Sequence, residues 1–354
     1  MYKFEDLIEE VKEFNTDLRY GLDDIVGVTI EKGLIPTIAN LTQTALDKFY
    51  IIKPETFVYN PRTHGVRLGM GYNDTCNTYI TTWNNVAFRV KDTAKNIVIP
   101  QYLWLYFCRP VWDRLTNFLA WGSSTIVFAW KDFLTIEIDL PSITRQREIV
   151  AEYETLTRRI RINEQMIQNL ESIAQTLYRK MFVDGIDKEN LPEGWRMGTI
   201  EEIADIKNGK AIIPTQGNFP IYGGNGIVGY TGLPNAKGIV VIGRVGINCG
   251  SLFLHQGECY VNDNAMMSIP KDNDLIFLYC TLKQIDLNSQ SEGSSQPLLT
   301  QSIIYKEECV IPNNALRTEF NKQGQIIYSN KVLIEQENEK LTELQSLLLA
   351  KMGQ

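Results

Sequence analysis

Histidine is scarce in this 354-residue chain, and cysteine is unpatterned. His64 and His255 are its two imidazoles, and no Cys-x-x-Cys pair occurs among Cys76, Cys108, Cys249, Cys259, Cys280 and Cys309. A zinc centre needs such ligands at short spacing, so no metal site is expected, and the six thiols read as buried and reduced. Long apolar runs are also missing. None approaches the ~18 residues of a membrane-spanning helix. The start, Met1-Tyr2-Lys3-Phe4-Glu5-Asp6, lacks the apolar core of a signal peptide, so a cytoplasmic location is expected. An excess of positive charge is absent too: 35 Lys and Arg face 42 Asp and Glu, for a net charge of −7. Eight acidic and three basic residues fall within the first 24. This balance argues against a free-standing basic nucleic-acid binder. An acidic chain can still bind DNA through local basic loops, more readily inside a complex whose partners supply phosphate contacts.

Catalytic patterns are lacking as well. Gly224-Asn225-Gly226-Ile227-Val228-Gly229 matches Gly-x-Gly-x-x-Gly, but a dinucleotide loop must open a helix. Here Tyr230-Thr231-Gly232-Leu233-Pro234-Asn235 follows and breaks one, so the segment reads as a surface that approaches a ligand closely. Tyr59-Asn60-Pro61-Arg62 is faintly like the Asn-Pro-Pro-aromatic motif of adenine methyltransferases, but it lacks the second proline and the ring and reads as a turn. No Asp/Glu–Lys nuclease set and no Ser/His/Asp triad has a supporting context.

What the chain does contain is a duplication. Gly122-Ser123-Ser124 recurs 171 residues later as Gly293-Ser294-Ser295, and Leu140-Pro141 recurs as Ile311-Pro312. At the same offset Glu164-Gln165 recurs as Glu335-Gln336, Leu170 as Leu341 and Lys180-Met181 as Lys351-Met352. A repeat in one chain builds a pseudo-two-fold object, which suits a target in two halves, such as duplex DNA with two half-sites.

Each repeat reads as a strand-rich domain followed by one long helix. Ile25–Ile30, Phe49–Ile52, Thr56–Tyr59, Ile239–Ile242 and Ser251–Leu254 are short β-branched or aromatic runs set among turn residues. Trp104-Leu105-Tyr106-Phe107 leads into a helix. The pattern is α+β, not alternating α/β. From Ile149 the apolar positions step by four and three through Tyr153, Leu156, Ile160, Asn163, Ile167, Leu170, Ala174, Leu177 and Met181. The second seam keeps Phe320, Ile327, Ile334, Leu341 and Leu348 apolar, while Gly324, Lys331, Asn338 and Gln345 fill the other half. Some 37 residues at ~1.5 Å each give a rod of roughly 55 Å, longer than a small domain, so the two helices are expected to pair as an antiparallel coiled coil. Asn163 and Asn338 are candidates to fix its register.

With these features in place, the chain resembles the specificity subunits of type I restriction–modification systems. Leu191-Pro192-Glu193-Gly194-Trp195, followed by Ile200–Lys210, is similar to the opening of their target recognition domains. Ile239–Gly246 resembles their central strand and Arg-Gly turn, and Gly293-Ser294-Ser295-Gln296 with Ile311-Pro312 resembles their closing segment. Gly27-Val28, Val58–Arg62 and Arg145–Ile149 carry the likeness in the first half. The match spans nearly the whole chain, with two departures. The first repeat opens with Lys3-Phe4-Glu5-Asp6-Leu7, comparable to Thr199-Ile200-Glu201-Glu202-Ile203, and has no Pro-x-Gly-Trp. The second helix has Arg317-Thr318-Glu319-Phe320 where the first has Gln146–Ile149.

The resemblance implies two β-rich target recognition domains in pseudo-two-fold arrangement, at 1–141 and 185–312. Conserved spacer helices then occupy 142–184 and 313–354. It implies a non-catalytic reader of a bipartite double-stranded DNA site, with the helices setting the spacer. Two modification subunits carrying S-adenosylmethionine would dock on this chain and methylate adenines, and restriction subunits join some such complexes. This chain itself would bind no cofactor. The helix estimate suits half-site centres roughly 34–36 Å apart.

For DNA contacts the candidates are Arg62, His64, Arg67, Ser123 and Ser124 in the first repeat. In the second they are Lys207, Lys210, Tyr222, Asn225, Arg244, Asn248, Ser294, Ser295 and Gln296. Arg pairs bidentately with guanine, Asn and Gln with adenine, and Lys suits phosphate. The rival readings are a self-contained methyltransferase or nuclease, and a coiled-coil interaction protein without DNA recognition.

Overall fold

The computed structural model describes residues 1–37, 44–63, 67–121, 126–212, 215–290 and 298–352. It divides into two compact units, Met1–Arg161 with Asn338–Gln354, and Ile162–Glu337.

The first unit opens with Tyr2–Lys3, which pairs antiparallel with Glu137–Ile138. A one-turn helix follows, Phe4–Leu7, buried at both ends through Phe4 and Leu7. The Lys3 amide donates to the Asp6 carboxylate at 3.3 Å and ties off its first turn. The main sheet has six strands in the spatial order Ile8–Glu10, Val86–Val90, Phe57–Tyr59, Met70–Tyr72, Val26–Thr29, Gly33–Pro36. Strand Phe57-Val58-Tyr59 is apolar throughout because both of its faces are covered. Phe57 and Tyr59 enter an aromatic core with Phe4, Phe88, Phe107, Trp112 and Phe133. Val58 points the other way, toward Ile52 and Ala87 under a small sheet of Tyr50–Ile52 and Tyr79–Thr81. The Phe57 ring stacks on Phe88 at 5.0 Å, and Phe107 lies 4.7 Å from Trp112. Each such ring contributes roughly 1.5–3 kcal/mol by burial, so the aromatic cluster dominates the energetics of this unit.

The second unit repeats the plan. Arg196–Thr199 pairs with Glu308–Ile311, and a one-turn helix, Ile200–Ile203, follows. The Thr199 amide donates to Glu202 at 3.0 Å, and Ile200 and Ile203 are buried as Phe4 and Leu7 are. Its sheet runs Ala204–Asn208, Ala265–Pro270, Ala236–Gly243, Leu252–Val261, Phe219–Gly223, Gly226–Thr231. Taken in chain order, this is the same strand order as in the first unit. The fourth strand again faces two cores, Val240 and Ile242 on one side and Ile239 and Val241 on the other. One difference is the sense of the neighbouring hairpin. Ile221 pairs in parallel with Tyr260, whereas Thr29 pairs antiparallel with Met70.

Two long helices, Ile143–Phe182 and Asn314–Lys351, complete the units. Every expected seam position is buried or half-buried: Ile149, Leu156, Asn163, Leu170 and Leu177 on one helix, Phe320, Ile327, Ile334, Leu341 and Leu348 on the other. Within the first unit Gln345 bonds Thr157, and Ile149, Val150, Leu349 and Met352 join one core. Within the second, Asn163 donates to Glu337 at 3.0 Å, Lys331 pairs with Glu171, and Phe320 lies 5.7 Å from Tyr178. In each unit, numbers rise on one helix as they fall on the other, so the pairing is antiparallel. Asn163 is fully buried and donates to Glu337. The polar half of the second seam is explained by its partners. Lys331 and Gln345 reach across, and Gly324 admits Ile276, whose Cγ2 would lie 2.5 Å from an added Cβ.

Each long helix also grips the start of a helix inside its own domain. Gln146 accepts from the Ile99 amide at 3.0 Å and donates to the Ile97 and Pro141 carbonyls, at the head of Pro100–Phe107. In the second unit Arg317 pairs with Asp274 at 2.9 Å and Asp272 at 3.1 Å, and Asn321 accepts from the Ile276 and Phe277 amides in the first turn of Leu275–Gln284. The departure at Arg317 is thus a second solution to the same capping problem.

Among the described residues no helix is long and apolar enough to cross a membrane, and no cluster of side chains could hold a metal ion. The described cysteines are free. Cys76 departs from the expectation of burial. It lies exposed in the polar turn Asn73-Asp74-Thr75-Cys76-Asn77, while Cys108 is half-buried and the other four are buried.

Candidate nucleic-acid interface

The two units share one local construction at the exit of the fourth strand. In the first, Phe57–Tyr59 runs into Asn60-Pro61-Arg62, where the Asn60 side chain accepts from the Arg62 amide at 3.0 Å. Arg62 then pairs with Val127, and the Phe128 amide donates to the Pro61 carbonyl at 2.8 Å. In the second, Ala236–Gly243 runs into Arg244-Val245. Val245 pairs with Leu298, and the Leu299 amide donates to the Arg244 carbonyl at 2.9 Å. Val127 and Leu298, like Phe128 and Leu299, are 171 residues apart, so the sequence repeat lands on the same hydrogen bonds. Arg62 and Arg244 therefore occupy neighbouring register positions in equivalent loops. The same offset relates the helices that follow, Trp130–Thr135 and Gln301–Tyr305, which bury Phe133 and Ile304 completely.

Comparison with known proteins agrees with this geometry. Residues 192–346 match the family described as the type I restriction modification DNA specificity domain. The specificity subunit of the type I restriction enzyme HindI from Haemophilus influenzae is 21% identical over 381 aligned positions, spanning 79% of this chain and 81% of its own. A crystal structure of a type I restriction–modification S subunit from M. genitalium superposes with a TM-score of 0.61 at 18% identity, covering 100% of this chain and 95% of that one. A second structure, described by complex assembly and conformational transition of a type I R-M system, gives a TM-score of 0.51 at 18% identity, covering 100% and 97%. Residues 192–346 match a DNA specificity domain, and the chain as a whole is similar to specificity subunits of type I restriction–modification systems.

The residues chosen from the sequence fall into four groups. Arg62, Arg67, Lys207, Lys210 and Asn225 are exposed. Lys207 was expected on a loop but lies in strand Ala204–Asn208, opposite Met267. Asn225 lies in the turn between Phe219–Gly223 and Gly226–Thr231, with Gly226 at φ +93° taking the left-handed bend. A strand follows that turn, which removes the dinucleotide-loop reading on structural grounds. Arg244 and Asn248 are half-buried at the edge, and the Arg244 Nε is buried without a partner among the described residues. Tyr222 is a correction: it is 7% exposed, and its hydroxyl meets His255 Nδ1 at 3.2 Å. It lies in the smaller core of the second unit. His64, Ser123, Ser124, Ser294, Ser295 and Gln296 lie outside the described residues.

Three exposed apolar side chains at these edges were not foreseen. Trp121 is 70% exposed and bridges Val127, Phe118 is 84% exposed one helical turn earlier, and Ile247 is 92% exposed three residues after Arg244. Aromatic residues directly before Gly122-Ser123-Ser124 were the available signal for the first two. His255 is held below its ordinary pKa, first by burial, which outweighs a contact with the Glu258 carbonyl. Burial pushes the Cys259 thiol up to about 12, so it stays protonated at neutral pH.

Proposed function

We propose that each unit reads one half of a bipartite DNA site through the loops at the exit of its fourth strand. The observation that carries this reading is the shared register: Pro61-Arg62 against Val127-Phe128, and Arg244-Val245 against Leu298-Leu299. Two copies of one loop construction, each headed by an arginine, match the demand of a split sequence. Arg62 and Arg244 present guanidinium groups suited to guanine, and Asn225 and Asn248 suit adenine. Lys207, Lys210 and Arg67 suit phosphate. His64, the serine pairs and Gln296 belong to the same proposal on sequence grounds.

The paired helices separate the readers and set the spacer, and two modification subunits carrying S-adenosylmethionine dock on this chain to methylate adenine. Restriction subunits join that assembly in the full system. An acidic chain suits such a complex because the partners supply most phosphate neutralisation.

The test is a domain exchange. Residues 191–312 are replaced by another recognition domain, the chimera is co-expressed with the neighbouring methyltransferase, and N6-methyladenine is mapped across the host genome. One half of the methylated motif changes and the other is retained. A chimera that changes both halves overturns the proposal.

A further inference from the structure

Lys32 and Asp113 form a near-buried ion pair at 2.6 Å, with side chains 8% and 12% exposed. Lys32 sits in the turn joining Val26–Thr29 to Gly33–Pro36, at φ +66°, a left-handed conformation that favours glycine. The left-handed turn therefore carries a lysine whose ammonium is withdrawn from water. A buried ion pair is weak evidence for stability, since apolar residues of like volume often do as well. What this pair holds is more specific. Lys32 Nζ donates to the Leu68 carbonyl at 2.8 Å, and the Leu68 amide donates to the same Asp113 oxygen at 3.3 Å. Both polar groups of Leu68 are thus fixed by the pair, one residue after Arg67.

Pro61-Arg62 and Arg67-Leu68 are held differently. Pro61 and Arg62 pair through the backbone with Phe128 and Val127. Leu68 is held by the ion pair, which draws on a hairpin turn and on helix Pro110–Leu119, beside the Asn60–Gly69 backbone bond. The equivalent loop of the second unit closes on its own backbone. Gly243 donates to Ser251, Gly250 to Gly243, and Cys249 to Gly246.

We infer that Lys32 and Asp113 are positioning residues that hold Leu68, and with it Arg67, and set how strictly the first unit reads its half-site. The inference rests on the bipartite reading above. Its test uses two variants of the full chain in complex with the methyltransferase: Lys32→Met with Asp113→Leu, which keeps the volume apolar, and Lys32→Gly, which removes the ammonium and suits the left-handed turn. Genome-wide methylation at sites with one mismatch is compared with wild type. Mismatches in the first half-site rise about tenfold, the scale of a weakened base contact, while those in the second half-site stay at the wild-type level. Unchanged strictness in the first half-site, or equal relaxation in both, in a variant that unfolds at the wild-type temperature, overturns the clamp. A wild-type complex that methylates no split motif overturns the bipartite reading itself.

Discussion

Gln345 donates from Nε2 to the hydroxyl of Thr157 at 2.7 Å, across a seam that is otherwise largely apolar. That hydroxyl donates in turn to the Tyr153 carbonyl of its own helix at 3.0 Å, so it gives one hydrogen bond and receives one. A polar pair of this kind specifies register, because any slip strands a half-buried amide against apolar neighbours.

Thr157→Val removes the acceptor and leaves the Gln345 amide unpaired. The expected loss is about 1–2 kcal/mol, read as a lower urea midpoint with an unchanged slope. Adding Gln345→Leu recovers most of it. A double variant that loses the sum of the two single losses contradicts the coupling.

Gln146 is fully buried with three hydrogen bonds, to the Ile99 amide and to the Ile97 and Pro141 carbonyls. Gln146→Ala costs about 1–3 kcal/mol by leaving those groups unpaired. Gln146→Arg costs more. The equivalent Arg317 is balanced by Asp272 and Asp274, whereas the contacts made by Gln146 are all backbone. Thermal unfolding of the two variants ranks them.

Gly324 has no room for a methyl group, since Ile276 Cγ2 would lie 2.5 Å from it. Gly324→Ala therefore destabilises by about 1–3 kcal/mol through overpacking, even though alanine favours helices. Combining it with Ile276→Val restores part of the loss. A stabilised Gly324→Ala shows that the contact yields.

His255 is half-buried and held below its ordinary pKa of 6.5 chiefly by burial. Its unfolded form binds a proton more readily, so stability falls as pH drops below about 6.5 and is fully present above it. His255→Gln flattens that part of the profile. Urea midpoints between about pH 5 and 7.5 measure the difference.

Cys76 is exposed, while burial holds Cys108, Cys259, Cys280 and Cys309 at about 12. An aromatic disulfide reagent at neutral pH is expected to titrate one fast thiol in the native protein and six after denaturation. Cys76→Ser abolishes the fast phase. Two fast thiols contradict the assignment.

The helices were the most legible part of the fold. A seam repeating by three and four over many turns has one physical solution, and every position named from Ile149 to Leu348 turned away from water. The strand runs were legible in place but not in order. The arrangement depends on long-range pairs such as Val86 with Tyr59, which no local pattern encodes. Arg62 and Arg244 were chosen for chemistry and glycine context, and their equivalence emerged only from the pairing of Val127 and Leu298. Tyr222 misled because an aromatic beside a glycine turn has the same composition whether it faces solvent or the core. Lys32 left no trace in the sequence, since its significance lies in a left-handed φ and in a partner 81 positions away.

The opening and closing strands of each domain lie side by side, Tyr2–Lys3 on Glu137–Ile138 and Arg196–Thr199 on Glu308–Ile311. A reading domain thus enters and leaves through a single two-stranded doorway. Genetic exchange needs only two crossovers, one at each jamb, to deliver a complete domain with its core intact. The same doorway frames both halves. A lineage that trades such cassettes acquires new addresses in the genome at the rate of recombination, without waiting for point mutation to redesign a base contact.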